Sequence, residues 1–248
     1  MNSLNSIQNY NELPNFNTNE NMLELMRGIT KAFKNDYDSS LKIKAITDFR
    51  RLRKFHKEYF NVTFDNIHNR LLEKTLDNQF EKNEFLLYYI IYFMNEIIIY
   101  NSAEMPSEWV EDIFYSVEKY VFNPIENLRN ISREALQNIA TEIQCTEKII
   151  CFFKQLEDCR QNECAKYYYN LLHLFIENTE ELCFINMYEW NLIINNIKTN
   201  KDINNYYNLA FKAFIKEIKN HLEKSNYFDE FANILSQENK EFVMENLK

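Results

Sequence analysis

A chain of 248 residues that is 46% hydrophobic, with 20 Phe and 16 Tyr, has enough apolar material for a sizeable core. Its net charge of −9 argues against nucleic-acid binding as the main activity. Gly28 is the only glycine and there are three prolines; phosphate-cradling loops, dinucleotide turns and nucleophile elbows, which need glycine where the backbone takes positive φ or lets a ligand approach, are therefore excluded.

The chain opens with residues 1–19, rich in Asn and Ser, containing Pro14 and lacking a helical period, which predicts a flexible arm. No positively charged, apolar secretory signal lies there, so the expected location is the cytoplasm. Leu41 to Tyr59 (LKIKAITDFRRLRKFHKEY) is the densest basic block. Its spacing predicts one helix with a stripe of Ile46, Phe49, Leu52 and Tyr59, and an opposite basic face of Arg50, Lys54 and Lys57. Phe85 to Tyr100 (FLLYYIIYFMNEIIIY) is shorter than the roughly 20 residues a bilayer needs and carries Asn95 and Glu96 inside it. A buried core helix is predicted there, with no membrane span.

Further along, Trp109 begins a helix after Pro106 and is expected to pack in the core. Three apolar stripes at helical spacing follow: Ile131, Ala135, Leu136, Ile139, Ala140 and Ile143; Tyr168, Leu171, Leu172 and Phe175; and Ile203, Tyr207, Ala210, Phe211, Phe214, Ile218 and Leu222. Boundaries are predicted at Asp38, Asn61, Asn83, Pro106 with Ser107, Asn130, Asn178, Asp202, Ser225 and Ser236. About a dozen helices and no strands result. The stronger helices recur at about 35 to 45 residues, the period of paired HEAT or armadillo helices. The expected fold is an all-α superhelix of such pairs; an irregular helical bundle fits the same helices.

Catalytic and metal chemistry find little footing. The five cysteines (Cys145, Cys151, Cys159, Cys164 and Cys183) are odd in number and sit in helical patterns, as reduced thiols do. Cys159 and Cys164 lack the spacing of structural zinc, Cys164 and His173 diverge around a helix, and no two histidines stand four apart. Acidic pairs such as Glu157 with Asp158 fall at helix junctions, where capping explains them. The expectation is a binding protein without cofactor, not an enzyme. The rival is a helical enzyme or carrier with an aromatic pocket at Tyr88, Tyr89, Tyr92 and Phe93.

Asp36, Tyr37 and Asp38 ahead of the basic helix resemble the opening of CLASP-type TOG domains, the HEAT-like tubulin-binding modules of cytoplasmic linker-associated proteins. Asn130 to Ala140 (NISREALQNIA) and Arg160 to Leu172 (RQNECAKYYYNLL) resemble their later repeats, and Asn208 to Phe214 (NLAFKAF) with Tyr227 to Leu247 resembles their closing ones. The resemblance runs from about Asn19 to the end and is one of pattern, without an invariant motif. It implies a single TOG-like paddle over residues 20–248 whose intra-repeat loops line one edge and grip tubulin or microtubules, in a monomeric, cytoskeleton-associated protein. The residues it places on that edge are Tyr37, where the family usually has tryptophan, Lys82, Arg129, Arg133, Arg160 with Lys166 behind it, Lys198 and Lys201. Acidic neighbours at Asp36, Asp38, Glu81, Glu126, Asp158 and Asp202 interrupt the row. The alternative is a HEAT- or armadillo-like adaptor for a different protein, using the basic face of Arg50, Lys54 and Lys57.

Overall fold

The computed structural model describes residues 7–17, 21–34, 39–76, 83–101, 105–143, 147–159, 161–178, 187–200, 205–224 and 227–247. Among them are a 3-10 turn at Tyr10–Glu12 and twelve α-helices, with no strand. In chain order they are α1 (Met22–Lys34), α2 (Ser39–Phe55), α3 (Lys57–Leu76), α4 (Glu84–Asn101), α5 (Ser107–Glu118), α6 (Glu126–Glu142), α7 (Glu147–Asp158), α8 (Asn162–Asn178), α9 (Met187–Asn200), α10 (Asn205–Lys224), α11 (Phe228–Ile234) and α12 (Gln237–Asn246). The all-α, paired-helix class expected from the apolar spacing is the class observed. No helix among the described residues is long and apolar enough to cross a membrane.

The chain divides into two compact units, and the divisions fall within α5 and α6: Met1–Tyr100 with Tyr115–Ala135, and Asn101–Phe114 with Leu136–Lys248. In the first, α1 packs on α2 and α3. Phe49 of α2 sits at the centre, its ring edge-on to Phe60 of α3 at 5.3 Å and to Phe93 of α4 at 5.5 Å. In the second, α8 packs against α7 and α10. Phe153 of α7 meets Phe214 of α10 at 5.4 Å, and Trp190 of α9 meets Phe231 of α11 at 5.0 Å. Each buried aromatic of this kind contributes roughly 1.5–3 kcal/mol of transfer free energy. Trp109 is buried, as expected.

Several boundaries differ from those read in the sequence. The basic helix does not run through to Tyr59; it turns a corner at His56, between α2 and α3. At the corner His56 N donates to Leu52 O and Phe60 N to His56 O, and the turn is made with neither glycine nor proline. Asn61 and Asn130, expected at helix starts, lie inside α3 and α6. The start of α6 is set upstream, where Asn123 Oδ1 accepts from Ile125 N beside Pro124. Asn83 and Ser236 do cap: their side chains accept from Leu86 N and Asn239 N.

Residues 7–17 are not a loose arm. Leu13 and Phe16 are buried, and this segment lies along α2, held by the cations of that helix. A segment without a helical period need not be flexible: this one is a strap with a 3-10 turn at its middle and apolar anchors.

A candidate protein-binding groove

Arg50 lies four residues after Ile46 and one after Phe49, which places it toward the core and not opposite it. It is fully buried. Its Nε and Nη2 donate to the two carboxylate oxygens of Glu96 on α4, each at 2.6 Å, and its Nη1 donates to the Tyr89 hydroxyl at 3.1 Å. Burial alone would lower the Arg50 pKa, but the bonds and charge of Glu96 outweigh it and hold it above its ordinary value. For Glu96 burial is the larger influence and pushes the carboxyl up, while Arg50 and Tyr92 pull it back. The guanidinium also lies over the rings of Tyr89 and Tyr92, at 5.6 and 5.3 Å. What reads in sequence as an aromatic pocket is therefore filled from within by Arg50.

The basic face expected of Arg50, Lys54 and Lys57 does not exist as one surface. Arg50 is in the core, Lys54 donates to Asn11 O and Leu13 O of the strap, and Lys57 starts a different helix. Of the residues assigned to the loop edge, Tyr37, Lys82, Arg160 and Lys201 lie outside the described residues. Lys166 lines a groove described below, and the remaining three are engaged within the chain. Arg129 Nη1 donates to Asn123 O and Pro124 O, and Arg133 Nε donates to Val121 O, so both fasten the connection between α5 and α6. Lys198 pairs with Glu238 and Asn239, fastening α9 to α12.

The thiols also depart from expectation. Cys159, just past α7, and Cys164, in the first turn of α8, form a disulfide across 5.7 Å between their Cα atoms. The tight connection between these helices brings together two residues that helical spacing alone would separate. Cys151 is a buried thiol outside any disulfide, and Cys145 and Cys183 lie outside the described residues. Among the described residues no group of His, Cys, Asp and Glu has the arrangement of a metal site.

Cations gather in a groove elsewhere. In the second unit α10 buries Ala210, Phe211, Phe214, Ile215, Ile218 and Leu222, and α8 buries Ala165, Tyr168, Leu171, Leu172 and Phe175. The residues beside those stripes line an open groove of about 800 Å³. Lys212, Lys216 and Lys219 of α10 stand on one face of the helix, joined by Lys166 and Tyr169 of α8, Leu209 and Ala213 of α10, and Leu247 after α12. Among the described residues Glu223 is the only acid in the lining, and it lies 3.7 Å from Lys219. Exposed pairs of that kind contribute little, so the field of the groove is set by the other lysines.

The first unit carries a smaller groove of about 470 Å³ between α1 and α3, lined by Leu23, Arg27, Lys31, Lys34 and neighbours, with no acid among the described residues. Its cations follow the same register. Arg27, Lys31 and Lys34 are spaced by four and three, as are Lys212, Lys216 and Lys219, and each series is headed by an exposed leucine, Leu23 at 59% and Leu209 at 56%. In the sequence Lys212, Lys216 and Lys219 already stand off the apolar stripe of their helix, whereas Arg27, Lys31 and Lys34 do not stand out.

In comparisons with known proteins, the chain matches no family model and no curated protein.

Proposed function

We propose that this protein is a helical-repeat binding module whose partner is an acidic protein segment, taken up by cation ladders on α1 and α10. The observation that carries this reading is the repeated register: a leucine followed by three cations over two turns, in a groove nearly free of acids, once in each unit. Cations one helical turn apart, at a pitch of about 5.4 Å, match carboxylates spaced by one turn on an opposing helix. The leucine gives such a partner an apolar contact to bury. Lysine suits the task as a flexible point charge that tolerates varied carboxylate positions.

Under the resemblance to TOG domains the acidic partner is tubulin, and we propose αβ-tubulin as the first natural protein to test. The experiment is a binding titration at low salt with αβ-tubulin and, in parallel, an amphipathic helical peptide bearing Glu at each turn of one face and leucines beside them. Lys212→Glu with Lys216→Glu weakens binding to the α10 groove by about tenfold or more, since exposed charge pairs are worth roughly 0.2–1 kcal/mol each and both change sign. A folded protein that binds neither partner, or whose binding ignores this pair and also Arg27→Glu with Lys31→Glu, contradicts the reading. A tubulin complex indifferent to those four changes but lost on Arg133→Glu with Lys201→Glu would return the contact to the loop edge.

A further inference from the structure

The strap over α2 is a peptide bound by its own protein, and the manner of its binding is informative. Three cations of α2 donate to five main-chain carbonyls: Arg50 to Gln8 O at 2.7 Å, Lys54 to Asn11 O at 2.8 Å and Leu13 O at 3.0 Å, and Arg51 to Pro14 O and Asn15 O at 3.1 Å each. These bonds follow the path of a backbone and read no side chain. Selectivity rests on Tyr10, stacked on Tyr100 of α4 at 4.2 Å, and on two buried anchors three residues apart, Leu13 at 2% and Phe16 at 8% exposure, on either side of Pro14. The Arg51 guanidinium lies 3.8 Å over the Phe16 ring, gripping the second anchor by its face.

The site does not depend on its occupant for its shape. Arg50 makes its bonds to Glu96 and Tyr89 within the helical core, and only the one from Nη2 to Gln8 belongs to the strap. The bonds from Arg51 to the strap are exposed, so they exchange for water at modest cost. A preorganised receptor that holds a segment through backbone carbonyls and two anchors accepts another segment of the same chemistry.

We infer that this face of α2 is a peptide-binding site, occupied in cis by residues 8–16, and that it takes in trans a short segment presenting its carbonyls around one 3-10 turn, with an aliphatic and an aromatic anchor flanking a proline. The inference is independent of the cation ladders, which lie on other helices.

The test uses the full chain carrying Leu13→Ala and Phe16→Ala, which frees the site, and a fluorescein-labelled peptide with the sequence of residues 7–17, read by anisotropy. The peptide binds this variant at least about tenfold more tightly than it binds the wild type, whose own strap competes at an effective concentration of about a millimolar. The same peptide with alanine at both anchors loses binding. A cooperatively melting variant that binds no more tightly than wild type overturns the inference. If the variant does not melt cooperatively, the wild-type chain is read by hydrogen exchange with about 5 mM peptide, in excess of that effective concentration. Faster exchange across residues 8–16 is then the expected result, and unchanged exchange overturns the inference.

Discussion

Arg50 and Glu96 show how one residue's phase on a helix decides whether it belongs to the surface or the core. The guanidinium is stable in the interior because two carboxylate oxygens, a phenol and a backbone carbonyl satisfy its donors. Removing the acid alone leaves a buried cation without its counter-charge. Glu96→Ala is expected to cost about 3–5 kcal/mol in urea unfolding, whereas Arg50→Met combined with Glu96→Leu costs much less, because the desolvation burden leaves with the charges. Equal losses for the two variants would show that the pair does more than cancel itself. A second residue gives a pH signature. Burial pushes the Tyr120 phenol up to about 12, while in the unfolded chain it ionises near 10. The contribution of Tyr120 is therefore complete below about pH 10 and is lost as pH rises from there to about 12. Tyr120→Phe flattens that decline relative to wild type in urea midpoints measured across the interval; parallel curves would contradict the assignment.

At the scale of elements, the apolar stripes were legible and the polar exceptions were not. Every residue of the Ile131 to Ile143 and Tyr168 to Phe175 stripes is buried, because period 3.6 is written directly into the spacing. Glu96 inside the most apolar helix was a visible signal that a cation must meet it, and Arg50, in phase with Ile46, was the available partner. The corner at His56 left no trace, since no glycine or proline marks it and the backbone bonds from His56 N and to His56 O persist. The strap was unreadable for a related reason: it is held through its own backbone carbonyls, which accept from cations of α2, and any sequence supplies carbonyls. Gly28 offers a check on element stability. It lies exposed inside α1, and a Cβ added there meets no atom within 4 Å. Gly28→Ala is expected to raise stability by about 0.5–1 kcal/mol through lost unfolded-state freedom, read as a higher melting temperature. A lower one would mean that the backbone at that position needs its glycine.

Across the whole molecule, charge is distributed against its average. A chain of net charge −9 sets aside two acid-poor grooves lined by cations in matching register, one in each compact unit. An overall negative surface discourages indiscriminate association with other acidic molecules, while local ladders keep an attractive field where an apolar contact is also on offer. Binding that depends on such ladders weakens steeply as ionic strength rises, because the Debye length falls from about 30 Å at 0.01 M salt to about 8 Å at 0.15 M. The measurement that reaches the central claim most directly is a calorimetric titration of the acidic amphipathic peptide into the full chain at low and physiological salt, read for stoichiometry. The account predicts two peptides per chain, both weakened by salt, falling to one when Lys212 and Lys216 are reversed to Glu. Absence of binding at low salt by a folded chain, or affinity indifferent to salt, would contradict it.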